Sequence, residues 1–304
     1  MDVKDRLKLI KKLSNLSQED LAKELSVSFV TLNSWINGRS IPHKKNQFKI
    51  DELYFKYSGT RAISKDVLEA KKEIIFKKSK KYKNIISFIL SRVDIFNQFL
   101  LSLTYNTNKI EGSTLTLSET SAILFENVSI KNRSLIEQIE AKNHQAAFVF
   151  MFDFVNEKKT IDKGFILRLH AILMNSVRAD AGLFRNHAVK IVGSNVATAN
   201  YLKVPALIDE LVKDINKEKK DVIAHVSEIH ARFEQIHPFS DGNGRIGRLL
   251  IQAMLLKKNY APAMILQKDK KLYMDFLNKA QKEGDSTLLE DFLLNAVIAG
   301  FEFL

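Results

Sequence analysis

The chain has 304 residues, a net charge of +12 and no cysteine, which excludes disulfides and Cys-ligated metal sites. The first hundred residues hold 21 of the 47 Lys and Arg but only 11 of the 35 Asp and Glu. A basic module before a near-neutral body favours a polyanionic partner, although such lysines can equally form a solvated surface. The first residues lack the apolar core of a signal peptide, and the longest apolar run near the end is too short to span a bilayer. We therefore expect a cytoplasmic protein with no membrane segment.

Residues 16–42 have the pattern of two short helices joined by a tight turn. Ser17 and Ser28 stand where the two helices would begin, and each can cap the free N–H groups of its helix. Asn37-Gly38 is a typical end for the second helix. The sequence therefore predicts a small helix-turn-helix domain within residues 1–57.

The spacing of this segment resembles the phage-repressor-like (Cro/C1, XRE) helix-turn-helix family, with Ser26 where the family usually has Gly. The resemblance implies that the second helix lies in the major groove of DNA. The residues implied in DNA contact are Phe29, Thr31, Asn33 and Ser34. Asn can pair with adenine and Thr can meet a thymine methyl group. A small helical protein-binding module is the alternative.

Scarce Gly and Pro predict an all-α protein with three segments: the 1–57 domain, a charged helical connector over 58–94, and a helical body over 95–304. One stretch interrupts the helical pattern of the body, at 182–205. It contains β-forming residues followed by Gly193-Ser194-Asn195, which is turn chemistry, so it predicts a small β-hairpin. An isolated hairpin on a helical body would make a flap.

The densest cluster of functional residue types is IHPFSDGNGRIGR, residues 236–248. Pro238 disfavours helical geometry at the preceding residue, so one helix ends there and another begins after the glycines. Gly242 and Gly244 can turn successive backbone N–H groups into a nest at the start of the second helix, which favours phosphate. Arg245 and Arg248 lie three apart and can reach one side of that helix start.

Asp241 places an anion beside this predicted anion site, which is unfavourable unless a cation bridges the two. Mg²⁺ bound by one carboxylate and by phosphate oxygens is the usual solution. His237 has the pKa range needed to accept a proton from an attacking hydroxyl. The stretch therefore predicts a magnesium-nucleotide site with a base beside it.

The same residues resemble the signature of the Fic (filamentation induced by cAMP) family, HxFx(D/E)GNGRxxR, with every fixed position present. The resemblance implies a Fic-type helical bundle that transfers AMP from ATP to a Ser, Thr or Tyr hydroxyl of a protein, either itself or a target. It implies His237 as the general base, Asp241 as the Mg²⁺ ligand and a flap over 190–193 that clamps the target chain. The nucleotide-binding residues that it implies are Asp241, Gly242, Asn243, Gly244, Arg245, Ile246, Gly247, Arg248, Lys190, Ile191, Val192, Gly193, Tyr273 and Gln281.

TNKIEG, residues 107–112, resembles the inhibitory motif of the same family, (S/T)xxxE(G/N). The resemblance implies that Glu111 pairs with Arg248 and removes its guanidinium from phosphate binding. An ordinary helix end capped by Gly112 is the alternative interpretation.

Three other functions remain open at this stage. One is a transcriptional regulator whose Fic body only binds a ligand, and another is removal of AMP from a modified protein. The more remote one is a metal-dependent hydrolase, because His230, Glu234 and His237 have the spacing of three ligands on one helical face. A homodimer is also compatible with the sequence.

Overall fold

The computed structural model describes residues 3–58, 63–191 and 196–304, and the chain divides between Val67 and Leu68 into two compact units. Within the described residues all regular structure is helical, which confirms the predicted all-α class. The α-helices are α1 (Val3–Ser14), α2 (Gln18–Glu24), α3 (Phe29–Ile36), α4 (Lys44–Ser58), α5 (Lys65–Ser79), α6 (Ile85–Leu90), α7 (Val93–Glu111), α8 (Leu117–Ser121), α9 (Leu135–Asn156), α10 (Lys163–Leu173), α11 (Val204–Ile215), α12 (Val222–Ile236), α13 (Asn243–Lys257), α14 (Lys270–Glu283) and α15 (Thr287–Gly300). A π-helical turn extends α8, and single 3₁₀ turns precede α11 and α14 and follow α15. None of the helices described is long and apolar enough to cross a bilayer.

The first unit is built around the predicted pair of helices, α2 and α3. The Oγ of Ser17 accepts the N–H of Asp20, and the Oγ of Ser28 accepts the N–H of Thr31, so both predicted caps are confirmed. Ser26 in the connecting turn has φ 58°, the left-handed conformation that glycine adopts without strain. The inward faces of α1 to α4 form one apolar core, which includes Leu7, Ile10, Leu21, Ala22, Leu25, Leu32, Trp35 and Ile50.

The second unit is a helical bundle in which α12 and α13 pack against each other, with α9, α10 and α7 against α13. α12 begins at the side-chain cap of Asp221 and ends at His237, which confirms the predicted helix that leads into the motif. α13 is buried along most of its length, because its apolar side chains face neighbours in several directions. The loop that joins these two helices is the glycine-rich stretch, so the fold places the predicted chemical groups between two rigid helix ends.

The predicted β-hairpin is not seen, and this prediction was wrong for the part that the structure describes. No strand is formed over 182–191 or 196–205, and residues 192–195 lie outside the described residues. The hydrogen bonds of this segment give the physical reason. The guanidinium of Arg185 donates to the carbonyl oxygens of His187 and Ala199. The hydroxyl of Thr198 donates to the carbonyl oxygen of Val189. Side chains thus satisfy carbonyl groups that a hairpin would pair with backbone N–H groups.

Candidate active site

His237 lies at the end of α12 in a left-handed conformation, with φ 50°, which is uncommon for a residue other than glycine. Its Nδ1 is 3.2 Å from the backbone oxygen of Glu234. Because a carbonyl only accepts, Nδ1 carries the hydrogen in the neutral ring and Nε2 is left as the acceptor. Burial lowers the pKa of His237, which keeps the ring neutral at pH 7. The side chain is therefore prepared to accept a proton at Nε2.

Arg185, which no motif in the sequence marks as functional, fixes the backbone around His237. This side chain is only 4% exposed, and its guanidinium donates to the carbonyl oxygens of His237, Ile236, His187 and Ala199. Arg185 N also donates to the oxygen of Pro238 at 3.0 Å. These bonds hold the helix end in its strained conformation and connect it to the segment that follows α10.

His170 supports the opposite side of the loop. Its ring stacks on Phe239, with centroids 3.7 Å apart and planes at 4°. The N–H of Gly182 donates to its Nδ1 at 2.8 Å, so the hydrogen of the neutral ring lies on Nε2, which donates to the backbone oxygen of Asp241 at 3.1 Å. Burial lowers the pKa of His170 to about 4, so this ring stays neutral and acts as a structural brace.

The start of α13 has the form of an anion nest. Gly242 has φ 78°, and a Cβ there would lie 2.9 Å from the sulfur of Met174, so both conformation and space require glycine. The side-chain amide of Asn243 closes the loop by bonding both backbone groups of Phe239, at 2.8 and 2.9 Å. The first N–H groups of a helix have no intrahelical acceptor, so the rigid loop presents them together with the helix dipole. Asp241, with a side chain 52% exposed, stands beside them.

Arg245 is held by a carboxylate that no motif in the sequence marks as functional. Its Nη1 donates to Glu140 Oε1 on α9 at 2.7 Å, and its Nη2 lies 3.8 Å from Asp241 Oδ1. Arg245 is 3% exposed, so this guanidinium is fixed below the nest as a buried, paired charge. It contributes positive potential to the site from a defined position.

Arg248 is bound from the other side by the segment predicted to be inhibitory. Its Nε donates to the hydroxyl of Thr107 at 2.7 Å, and its Nη2 donates to a carboxylate oxygen of Glu111. Burial opposes ionisation of Glu111, but the charges of Arg248, Arg245 and Lys270 outweigh it and lower the pKa of Glu111. α7 ends immediately after this residue, at Gly112 with φ 106°. The first and fifth positions of the predicted motif thus hold the same guanidinium.

Glu111 also lies against the glycine nest. A Cβ on Gly244 would stand 2.6 Å from Glu111 Oε1 and 3.1 Å from Arg248 Nη1. The carboxylate therefore occupies space directly over the start of α13, where the nest would receive an anion. The pairing of Glu111 with Arg248 and the approach to Gly244 put a negative charge at the place that favours phosphate.

A fully buried carboxyl, Glu234, lies beneath the site. Its Oε2 is 4.0 Å from His237 Nδ1, and its Oε1 has no hydrogen-bond partner among the described residues. A Cβ on Gly247 would lie 2.3 Å from Oε1, so this glycine makes room for the carboxyl group. Burial raises the pKa of Glu234 to about 8, so it is mostly protonated at pH 7. A neutral acid thus sits next to the neutral His237.

The structure gives His230 a structural position. Its Nε2 is 2.7 Å from the hydroxyl of Tyr273, and both side chains are 1% exposed. Among the described residues no three His, Asp or Glu side chains converge as metal ligands, which removes the support for a His230–Glu234–His237 metal centre. Tyr273 presents no exposed surface to an adenine in this arrangement.

The remaining predicted nucleotide residues are placed as follows. Lys190 is exposed and Ile191 half-buried, whereas Val192 and Gly193 lie outside the described residues. Gln281 on α14 is half-buried and donates to the carbonyl oxygen of Ala231 at 3.4 Å.

On α3, Phe29 is 46% exposed and three predicted DNA contacts are half-buried. Each of the three is already hydrogen-bonded: Thr31 to Ser28, Asn33 to Gln18 and Asn37, and Ser34 to Ser40. Hydrogen bonds within the first unit thus set the orientation of these polar side chains.

Two family comparisons agree with these two units. A sequence model of the Fic/DOC family matches residues 160–255, which include α12, the loop and most of α13. A helix-turn-helix family model matches residues 7–57. Residues 160–255 therefore form a Fic/DOC domain, and residues 7–57 form a helix-turn-helix domain.

Relatives and solved structures refine this assignment. The protein adenylyltransferase Fic of Nematostella vectensis is 31% identical over 195 residues, covering 60% of this chain and 43% of the relative. That of Drosophila ananassae is 30% identical over 185 residues, covering 60% and 37%. The chain thus spans less than half the length of these curated relatives.

Fic-1 (aa134–508) from C. elegans matches with a TM-score of 0.68 at 19% identity, covering 93% of this chain and 83% of that one. A Fic-domain signaling protein from Bacteroides thetaiotaomicron matches with a TM-score of 0.63 at 24% identity, covering 77% and 91%. These structures share its fold.

Proposed function

We propose that the second unit transfers AMP from ATP to a hydroxyl group of a protein. The observation that carries this proposal is the position of His237, a neutral base with Nε2 as acceptor, next to a glycine nest flanked by two arginines. This combination suits attack of a hydroxyl on a phosphate, and the names of the curated relatives support the same reaction. ATP and a protein with an accessible hydroxyl are the substrates.

The reaction requires few groups. The hydroxyl oxygen of the protein attacks the α-phosphorus of ATP, the bond to the bridging oxygen of the β-phosphate breaks, and pyrophosphate leaves. His237 Nε2 takes the hydroxyl proton, which makes the oxygen a better nucleophile. The N–H groups at the start of α13 and the guanidinium of Arg248 stabilise the charge on the phosphate oxygens. Arg185 and His170 act through the backbone, by holding the base and the nest in register.

Asp241 fits the role of an Mg²⁺ ligand. Its carboxylate is half exposed, accepts the N–H of Gly242 through Oδ1 at 2.6 Å, and stands beside the place where phosphates would bind. One carboxylate plus substrate phosphates is the usual protein contribution to Mg²⁺ sites. The cation would neutralise phosphate charge. The hydrogen bond from His170 Nε2 to the backbone oxygen of Asp241 orients this residue.

Glu111 would restrain this activity. While its carboxylate holds Arg248 and covers Gly244, the γ-phosphate cannot occupy the same place, and the α-phosphate is misaligned with the hydroxyl. A misplacement of about 1 Å can reduce a rate on the order of a hundredfold. The hydroxyl of Thr107 adds a second bond to the same guanidinium, so release of Arg248 requires movement of the end of α7.

We also propose that the first unit binds DNA, as its charge and helix-turn-helix fold favour. A homodimer would present two such modules to two half-sites on DNA.

Mass spectrometry tests the proposed reaction. The Glu111→Gly variant is incubated with ATP and Mg²⁺, and each modified peptide is sequenced. We expect the mass of one AMP on a Ser, Thr or Tyr side chain, with release of pyrophosphate. Phosphate on the peptide instead of AMP would replace the proposed reaction by phosphoryl transfer, and loss of AMP from a pre-modified protein without any gain would favour the reverse reaction.

A further inference from the structure

A separate cavity of about 160 Å³ lies at the ends of α12 and α13 that are remote from His237. It is lined by the end of α11 and the segment after it, the first turns of α12 and the last turns of α13. With 15 residues in α13, the helix separates this cavity from the glycine nest by roughly 20 Å. The cavity is thus distinct from the candidate active site.

Part of its wall is apolar. Ile161, Ile215, Val226 and Met254 face it, and all four are buried residues of the core. An apolar protein cavity of about 150 Å³ can hold a benzene molecule. The space therefore suits a ligand whose body is a single ring or a short aliphatic chain.

His225 is an unexplained polar group in this wall. It is 8% exposed, so more than nine-tenths buried, and its Nε2 has no hydrogen-bond partner among the residues that the structure describes. Buried polar atoms in folded proteins are nearly always paired. Burial lowers the pKa of His225, although the carbonyl groups of Asp214 and Ile215 act in the opposite direction. The ring is thus neutral and unsatisfied on one side.

The mouth of the cavity is positively charged. Lys217 and Lys258 are paired with Asp214 and Glu218, at 2.5 and 2.8 Å. Lys257 instead donates to a backbone carbonyl, that of Lys159 at 2.6 Å, and burial and the adjacent Lys258 lower its pKa.

The other charged groups around the cavity do not reverse this balance. Lys219 is an exposed lysine of the rim. Outside the lining, Asp221 caps α12 and Glu228 lies on it, and both carry negative charge. Asp221 is already bonded to Lys72. The ammonium of Lys257, which has no carboxylate partner among the described residues, and the unpaired Nε2 of His225 therefore belong to residues that line the same cavity.

We propose that this cavity is a binding site for a small monocarboxylate with an apolar body, such as a short aliphatic or aromatic acid. The body fills the apolar space, and the carboxylate accepts hydrogen bonds from Lys257 and from His225, which takes up a proton at Nε2 on binding. Both residues line this one small cavity, whose volume suits a ring the size of benzoate. Binding is coupled to proton uptake, so the affinity rises as the pH falls from 8 toward 6. This site does not depend on the proposed AMP transfer.

Titration of the full chain by ¹⁵N NMR of its histidine rings tests the site, with three probes. Benzoate has the proposed shape and charge, benzyl alcohol has the shape without the charge, and inorganic phosphate has charge without the apolar body. We expect benzoate to shift the His225 signals in a saturable manner, at least about tenfold more tightly than benzyl alcohol, as one charge-assisted hydrogen bond predicts. The exposed His43 and His187 serve as internal controls and stay unchanged.

Two variants distinguish binding in the cavity from non-specific attraction of an anion to a basic protein. Lys257→Gln should weaken benzoate binding by at least about tenfold and leave benzyl alcohol binding unchanged. Lys163→Gln, which removes a half-buried lysine paired with Asp209, should alter neither. Equal binding of benzoate and benzyl alcohol, equal binding of phosphate and benzoate, or no shift of His225 with any probe would each overturn the proposal.

Discussion

Replacing Glu234 with Gln tests the inference that a protonated carboxyl lies beneath His237. The side chain of Gln has nearly the same shape as the protonated acid but has no acidic proton. At low pH the side chain at position 234 is neutral in both proteins. At high pH only the wild-type glutamate can ionise, and its burial opposes that ionisation. Wild type and variant should therefore differ in the pH dependence of stability rather than by a constant amount.

The size of the effect follows from the shifted pKa. Burial raises the pKa of Glu234 from 4.5 to about 8, and each pKa unit corresponds to about 1.4 kcal/mol, so the upper limit is about 5 kcal/mol. Because the folded pKa is raised, the stabilising contribution of the proton is complete below pH 4.5 and is lost as the pH rises through about 8. His230 beside it does not titrate between these values, because burial lowers its pKa to about 3.

Differential scanning calorimetry between pH 5 and pH 9 measures this difference. For a unit of this size, 1 kcal/mol corresponds to about 2–4 °C in Tm. We expect Tm of the variant relative to wild type to rise by at least about 3 °C over this range. Glu228→Gln, an exposed glutamate on the same helix, is the matched control and should give no such trend. A Tm difference that stays constant from pH 5 to pH 9 would refute a protonated Glu234.

Three further predictions concern the site and the first unit. His237→Ala should lower AMP transfer by about 10²–10⁴-fold while ATP affinity, measured by calorimetry, changes by less than about threefold; transfer at the wild-type rate would contradict its role as base. Glu140→Gln should weaken ATP binding and lower Tm, since it leaves the buried Arg245 without its carboxylate; unchanged values of both would show that Arg245 does not need this partner. The full chain should bind duplex DNA, measured by fluorescence anisotropy, with an affinity that falls steeply as the salt concentration rises from about 50 to 200 mM. Asn33→Ala should weaken sequence-specific binding more than non-specific binding, and binding that does not depend on salt would indicate that the module recognises a protein instead.

Local signals in the sequence predicted the ends of helices well. Pro238 and Gly242 mark where α12 ends and α13 begins, and Ser17 and Ser28 mark the starts of α2 and α3. Each signal acts within one helical turn, so it needs no knowledge of the fold. The pairing of Glu111 with Arg248 came instead from a family resemblance, since local spacing cannot connect residues so far apart in the chain.

The partners that brace the site could not be predicted for the same reason. Glu140 meets Arg245, and Arg185 meets the carbonyl of His237, only after distant helices have packed. A lone charged residue in a helical pattern resembles any solvated surface residue until its burial is known. The prediction of a β-hairpin was wrong because β-propensity takes effect only where partner strands are available, whereas here side chains bind the backbone carbonyl groups.

The most direct test of the proposed function is incorporation of label from α-labelled ATP by wild type, Glu111→Gly and Glu111→Gly combined with His237→Ala. If Glu111 restrains the site through Arg248, Glu111→Gly should incorporate at least about tenfold more label than wild type, equivalent to roughly 1.4 kcal/mol of barrier. The double variant should return to background, because the base is missing. Equal incorporation by wild type and Glu111→Gly would contradict the restraint, and label persisting in the double variant would contradict AMP transfer at this site.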